Sequence, residues 1–328
     1  MAVRSPHARD GKQYSMVDLI AELRTCLLDS QSPDEDRQSA AHNLARLAAA
    51  GVPGARPDDW YGTTELSDPA PIVSADEVVR ISPSAAVTFQ KCGLRWFFDQ
   101  VGRGSSTINA SVGTLVHEAF SLIEQPGGRS QAELFNTMTE HVARQWPTLS
   151  FDSPWEERMW SKRVRVMLEN LAGWLEGRTA QWLGNEIEFD LQDGGVRVRG
   201  TVDRLERTDD GVLTIDLKTG RSTPNPDELA TNAQLGLYQL AVEEGAFEGP
   251  QRSGGAELLF VHDRAKAKDL PQEPLAEAED PTWAQQLLVE LGEGMSAGSF
   301  AAVNGPLCRS CDFKQGCPIG NKAEDQAS

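Results

Sequence analysis

Long hydrophobic runs are missing from this chain. Nothing in it approaches the roughly 18 uninterrupted apolar residues that a membrane helix needs, and its first residues, MAVRSPHARDGKQYS, contain no apolar stretch of a secretory signal. These absences exclude a membrane partner and lead us to expect a cytoplasmic protein. Positive charge is scarce too: 31 Lys and Arg face 49 Asp and Glu, a formal charge of −18 over 328 residues. On its face that disfavours nucleic acid, because phosphate binding draws on basic surfaces, although net charge says little about one local site. Much of the acid sits in stretches such as DSQSPDEDR (29–37) and LPQEPLAEAEDP (270–281), which read as solvated faces or linkers. No G-x-x-x-x-G-K run followed by Ser or Thr occurs, so the chain cannot hydrolyse ATP through a P-loop of its own. Internal repeats are also lacking.

The length suggests two units, or one core with a large appendage. Apolar residues at 16, 17, 19, 20, 23, 27 and 28 recur with a helical period, and QSAAHNLARLAAAG continues as helix up to Gly51. Pro- and Gly-rich connectors follow, and a boundary is expected near residue 76. Ser82 is placed to cap a helix with Pro83 in its first turn. Further helices are expected over NASVGTLVHEAFSLIEQ, over 130–146, and from Trp155 to Trp182, where the tryptophans read as core. After residue 184 the period changes. EIEFDL, VRVRGTVDRLER and VLTIDLK alternate as strands do. NAQLGLYQLAVEEGA returns to helix, AELLFVH (256–262) reads as strand, and TWAQQLLVELGEGMSAG as helix. The order predicts an α/β core with a helical approach.

TDDG (208–211) is a turn signal between two of these strands. A four-residue loop sets 207 opposite 212 and Asp203 opposite Asp216; a two-residue loop at 210–211 sets Asp203 opposite Lys218. Either register puts Asp203 on the face that Asp216 and Lys218 already share as neighbours two apart on one strand. Two carboxylates at one spot repel unless one is protonated or a cation lies between them. Hard oxygen ligands suit Mg2+ or Mn2+, and a lysine alongside can orient a water, as phosphodiester hydrolysis requires. The same short pattern also fits an ordinary surface hairpin with a Lys–Asp pair.

GTVDR followed by IDLKTG resembles the PD-(D/E)XK nuclease superfamily, and within it the RecB-like branch. Val202 stands where the superfamily name has proline, a departure frequent in that branch. The resemblance implies a restriction-endonuclease-like core, a mixed central sheet flanked by helices. It implies that Asp203 and Asp216 bind metal, that the Leu217 carbonyl completes the coordination, and that Lys218 assists the water. VGTLVHEAF resembles the G-x-x-x-H helix of the family, which makes His117 a metal ligand with Gly113 one turn before it. NEIEF resembles the first core strand and makes Glu186 an acidic candidate near the site. QLGLY resembles the Q-x-x-x-Y helix, with Gln234 and Tyr238 facing the site and DNA.

Five cysteines in a cytosolic chain seldom mean disulfides. Cys26 reads as a small buried apolar residue. Cys92 and the trio Cys308, Cys311 and Cys317 could meet as a tetrathiolate centre, zinc or iron–sulfur; spacing alone leaves both open. One cysteine before the core and three after it resembles the iron–sulfur staple of AddB-type and related nucleases, and that resemblance implies a 4Fe–4S cluster. Residues 77–320 carry the family likeness. Residues 1–76 resemble, in texture and order, the end of the helicase region in AdnAB-type subunits, which implies a helicase or ATPase partner. The last residues, 321–328, are expected to be a disordered tail. The function these resemblances imply is a Mg2+- or Mn2+-dependent deoxyribonuclease, an exonuclease of double-strand-break processing; the alternative is a DNA-binding or assembly remnant without chemistry.

Overall fold

The computed structural model describes residues 16–29, 31–60, 70–74, 77–102, 108–193, 195–247, 251–262, 266–314, 317 and 319. The expected boundary near 76 and the expected tail at 321–328 lie outside the described residues. By contacts the chain divides into two compact units, 1–69 and 70–328.

In the first unit, helices α1 (Met16–Leu28) and α2 (Asp34–Ala49) close on a small core of Ile20, Leu44, Ala55 and Trp60. The Arg24 guanidinium lies over the Trp60 ring, 5.1 Å from its centre, and the indole N–H donates to the Gly54 carbonyl. Cys26 is half-buried.

The second unit begins with strand β1 (Val79–Ile81) and helix α3 (Pro83–Lys91), whose cap is Ser82 accepting from the Ala85 amide, with Pro83 in the first turn. Helices α4 (Gly93–Val101), α5 (Ile108–Ser121), α6 (Gln131–Gln145) and α7 (Pro154–Glu176) follow. Then come strands β2 (Gln181–Asp193), β3 (Val196–Thr208) and β4 (Gly211–Lys218), helices α8 (Pro226–Ala230) and α9 (Ala233–Glu243), strands β5 (Ser253–Phe260) and β6 (Lys268–Gln272), and helix α10 (Trp283–Ser296). They form one mixed sheet in the order β1-β3-β4-β5-β6, with β2 also on β3. Two apolar layers cover it. One, from α3, α4, α9 and α10, packs on Val198, Val202, Leu205 and Leu258. The other, from α5, α6 and α7, packs on Ile215, Leu217 and Leu259. Among the described residues no helix is long and apolar enough to cross a membrane.

Two strands escape the sequence pattern. β1 is three residues long and pairs parallel with Val196–Val198. β6 runs into the stretch read above as a solvated face, taking its residues 270–272: Leu270 and Gln272 alternate inward against β5, and Leu275 beyond them is also buried. Pro271 is tolerated because β6 ends the strand order, at an edge where an amide donor can be spared.

The sheet contains the feature that makes the site. β2 runs along one edge of β3 from Val196 to Arg207. The other edge is shared: β1 takes Val196–Val198, and β4 takes Arg204–Thr208. Between those two partners, residues 199–203 have no strand on that edge among the described residues. The hairpin register sets Arg207 opposite Val212, so the two-residue loop is 209–210, and continuing the register brings Asp203 opposite Asp216. There β4 leaves β3 and continues along β5.

Candidate metal centre in the sheet gap

Backbone groups released where β3 and β4 part still need partners. Side chains supply them. The Leu217 amide donates to Asp203 Oδ2 at 2.6 Å, and the Tyr238 hydroxyl lies 3.1 Å from the Thr201 carbonyl. The break in the ladder thus frees the amide that anchors the buried Asp203 carboxylate.

Each acid has its own counterpart. Asp203 Oδ1 meets His117 Nδ1 of α5 at 3.0 Å. Asp216 Oδ2 lies 2.6 Å from Lys218 Nζ, as an ion pair rather than an aligned hydrogen bond. Its Oδ1 accepts from Gln234 Nε2 at 2.7 Å and lies 3.2 Å from the Tyr238 hydroxyl. Gln234 uses its other end to accept from Lys218 Nζ at 2.9 Å, so one amide fixes the lysine and the acid relative to each other. Gln234 and Tyr238 share a face of α9, one turn apart. On α9, Gly236 lets α10 pack closely: a Cβ there would lie 2.2 Å from the Trp283 ring.

Burial raises the pKa of Asp216, with Lys218 pulling the other way. Burial opposes the charge on His117, but the Asp203 hydrogen bond and the carboxylates of Asp203, Asp216 and Glu186 outweigh it and raise its pKa. Desolvation, then Asp203, raises Glu186. Burial and Asp216 push Tyr238 well above its ordinary value. The pocket is therefore short of positive charge, the condition in which an added cation is most favourable.

His117, Glu186 and Asp203 each present a ligand atom, and all three atoms lie within 4.8 Å of one another. An imidazole with two carboxylates fits a divalent metal. Glu186 falls opposite Asp203 between the flanking pairs Asn185–Arg204 and Ile187–Val202. Its φ is +50°, a left-handed conformation that costs a non-glycine residue about 1–2 kcal/mol. Asp216, expected as a metal ligand, lies against Lys218, Gln234 and Tyr238, and Glu186, expected near the site, lies with His117 and Asp203. Leu217 is buried and contributes its amide to Asp203.

A group with no assigned role in the sequence reading holds the opposite side of β3. Arg204 is fully buried and donates to Glu206 Oε1 (2.7 Å), the Ile123 carbonyl (2.7 Å), Asn185 Oδ1 (3.2 Å) and the Glu124 carbonyl (3.1 Å). It ties β3 to the end of α5 and to β2, on either side of Asp203 and Glu186. The sequence offered no signal for this role, because β3 carries other charged residues such as Arg197, Arg199 and Arg207.

Cys92, Cys308, Cys311 and Cys317 line one apolar cavity, together with Phe98 and Phe313, whose rings stack at 5.0 Å. All four are free thiols. Cys92 terminates α3 and precedes α4, and the next segment is held to the C-terminal stretch by the Leu94 amide donating to the Ala301 carbonyl at 3.0 Å.

Residues 80–318 match the model of the PD-(D/E)XK nuclease superfamily. The Gene 69 proteins of Mycobacterium phage D29 and Mycobacterium phage L5 are similar to this chain over 139 residues, at 27% and 28% identity. The matched stretch is 41% of this chain and 47% and 44% of those proteins, so the likeness covers less than half of each. A solved structure, "Crystal structure of SSO0001", aligns with 75% of this chain and 89% of its own, at 14% identity and a TM-score of 0.33, too slight a likeness to bear on the fold.

Proposed function

The chain belongs to the PD-(D/E)XK nuclease superfamily, and from that premise we propose that it is a divalent-metal-dependent deoxyribonuclease, working as an exonuclease in double-strand-break processing. What chiefly supports the reading is the convergence of His117, Glu186, Asp203, Asp216 and Lys218 at the gap between β1 and β4. His117, Glu186 and Asp203 would hold Mg2+ or Mn2+, with Asp216 and the Leu217 carbonyl beside them; oxygen-rich sites suit those ions. Such an ion, when bound, supplies charge stabilisation at the phosphate and eases deprotonation of water. Lys218 keeps an ammonium group at the edge of the site, where it can orient the attacking water and offset charge developing on phosphate. Gln234 holds that ammonium and the Asp216 carboxylate in register, and Tyr238 closes the apolar side.

We read the cavity lined by Cys92, Cys308, Cys311 and Cys317 as the seat of a 4Fe–4S cluster, with a structural Zn2+ as the alternative, since four thiolates suit either centre. The cluster would be structural, pinning the α3–α4 turn to the C-terminal stretch. Residues 1–76, with α1 and α2 closed on their own small core, we read as a helical lead-in like the end of a helicase region, with a helicase or ATPase subunit as partner.

The experiment is cleavage of end-labelled single- and double-stranded DNA with Mg2+ or Mn2+, for the wild type and Asp216→Asn. The wild type should cut only with metal, and the variant should lose at least about a hundredfold. A wild type inert with every divalent ion, or a variant as fast as the wild type, refutes the proposal.

A further inference from the structure

We propose that Asn185 is a positioning residue for the candidate metal centre, holding Glu186 in a ligating orientation against His117 and Asp203 before any ion binds. The inference rests on the metal-dependent reading and adds to it the residue that sets how tightly the ion is held.

Each of the three ligand residues has a neighbour in one polar knot. Asn185 directly precedes Glu186, Arg204 directly follows Asp203, and Ser121 lies one turn after His117 at the end of α5. The last carbonyls of a helix have no partner within it, and the same need extends to the turn that follows. Asn185 meets it from β2: Nδ2 donates to the Ser121 carbonyl at 2.8 Å and to the Ile123 carbonyl at 3.1 Å. Its Oδ1 accepts from Arg204 Nη1 at 3.2 Å and from the Trp182 indole N–H at 3.1 Å. An amide side chain offers two donors and two acceptor sites, so all four are engaged. Flipping the amide would set its NH2 against two other donors and its oxygen against two carbonyls. The side chain therefore has one orientation. Gln125 adds a second tie between the same segments: it accepts from the Trp182 amide at 2.8 Å and donates to the Ala180 carbonyl at 3.3 Å.

The backbone around Asn185 gives this tie its consequence. The pairing of β2 with β3 shifts between Trp182 and Gly184, and such irregularities re-aim the side chains beside them. Gly184 permits close packing there, since a Cβ would lie 2.5 Å from Ile187 Cδ1. One residue beyond Asn185, Glu186 has φ +50°. A non-glycine residue keeps that conformation only where its surroundings impose it. Glu186 is exposed, and its carboxylate makes no hydrogen bond among the described residues. Its aim therefore comes from the backbone, and the side chain that fixes that backbone is Asn185.

The test is Mn2+ binding to the full chain by calorimetry, without DNA, with thermal melting recorded on the same samples. Asp203→Asn identifies the site by removing the binding. Asn185→Ala should lower the affinity about 10–100-fold. In a Glu186→Gln background the same change should lower it no more than about twofold, because the orientation it disturbs is that of Glu186. Gln272→Ala is the control: this buried residue of β6, at the far edge of the sheet, bonds Gln239 and the Leu229 and Ala230 carbonyls. It should lower the melting temperature and leave Mn2+ affinity near that of the wild type. If Asn185→Ala does not fold, Trp182→Phe decides in its place: it keeps a ring, removes one donor to Asn185 Oδ1, and should weaken binding severalfold. Wild-type affinity in the deciding variant, or an equal loss with and without Glu186, refutes the positioning role while Asp203-dependent binding keeps the metal reading. If the wild type binds no Mn2+, or Asp203→Asn binds it unchanged, both fall.

Discussion

Replacing Glu257 by glutamine should stabilise the protein at pH 8 and leave it nearly unchanged at pH 4.5. Glu257 lies on β5, 7% exposed, and its nearest cation is Arg178, with Nη2 3.4 Å from Oε1. That arginine is already committed: its Nε donates to Glu206 at 3.0 Å, and its guanidinium lies over the Trp174 ring. Burial therefore wins over Arg178, and with Asp269 and Glu206 adding repulsion the carboxyl is pushed up to about 7 from its ordinary 4.5. The sign follows from proton binding. Between pH 4.5 and 7 the unfolded chain has released this proton while the folded chain still holds it, so raising the pH favours unfolding. The stabilisation is complete below 4.5 and gone above 7. A rise of that size corresponds to about 3 kcal/mol. Glutamine has nearly the same shape and no charge to desolvate, so the variant should unfold at a temperature higher by about 5 °C at pH 8. Thermal unfolding of both proteins at the two pH values checks this. A variant less stable than the wild type at pH 8 would show that Glu257 is ionised and held by Arg178, and the reasoning from burial would be wrong.

Two further outcomes follow from the site and the cysteines. Gln234→Ala removes the bridge between Asp216 and Lys218 without touching a proposed ligand, so it should lower kcat by about 10–100-fold while Mn2+ binding, read by calorimetry, stays near that of the wild type. Cys308→Ser should cost the purified protein its iron and its brown colour, with Cys26→Ser as the unaffected control; zinc in the wild type would replace the iron–sulfur assignment.

Local chemistry was legible where it determined local shape. The apolar spacing from Met16 to Leu28 matches α1, and Ser82 with Pro83 starts α3 as its capping chemistry dictates. The hairpin took one of its two foreseen registers, 207 opposite 212. What could not be read depends on long-range placement. The three residues of β1 carry no period, and β6 looks like an acidic linker until β5 covers its alternate side chains. Arg204 and Glu206 look solvent-facing in sequence, yet both are fully buried against each other. Glu186 offers no sign of its left-handed backbone. That Glu186 lies with His117 and Asp203 while Asp216 lies against Lys218 and Gln234 likewise appears only in three dimensions, because it depends on which face of α5 and of α9 meets the gap.

Anomalous scattering from crystals grown with Mn2+ tests the central claim most directly. The account predicts a peak in the sheet gap within coordinating distance of His117, Glu186 and Asp203, lost in Asp203→Asn. A Mn2+ peak elsewhere in an enzyme that cuts DNA, with this gap empty, would contradict it.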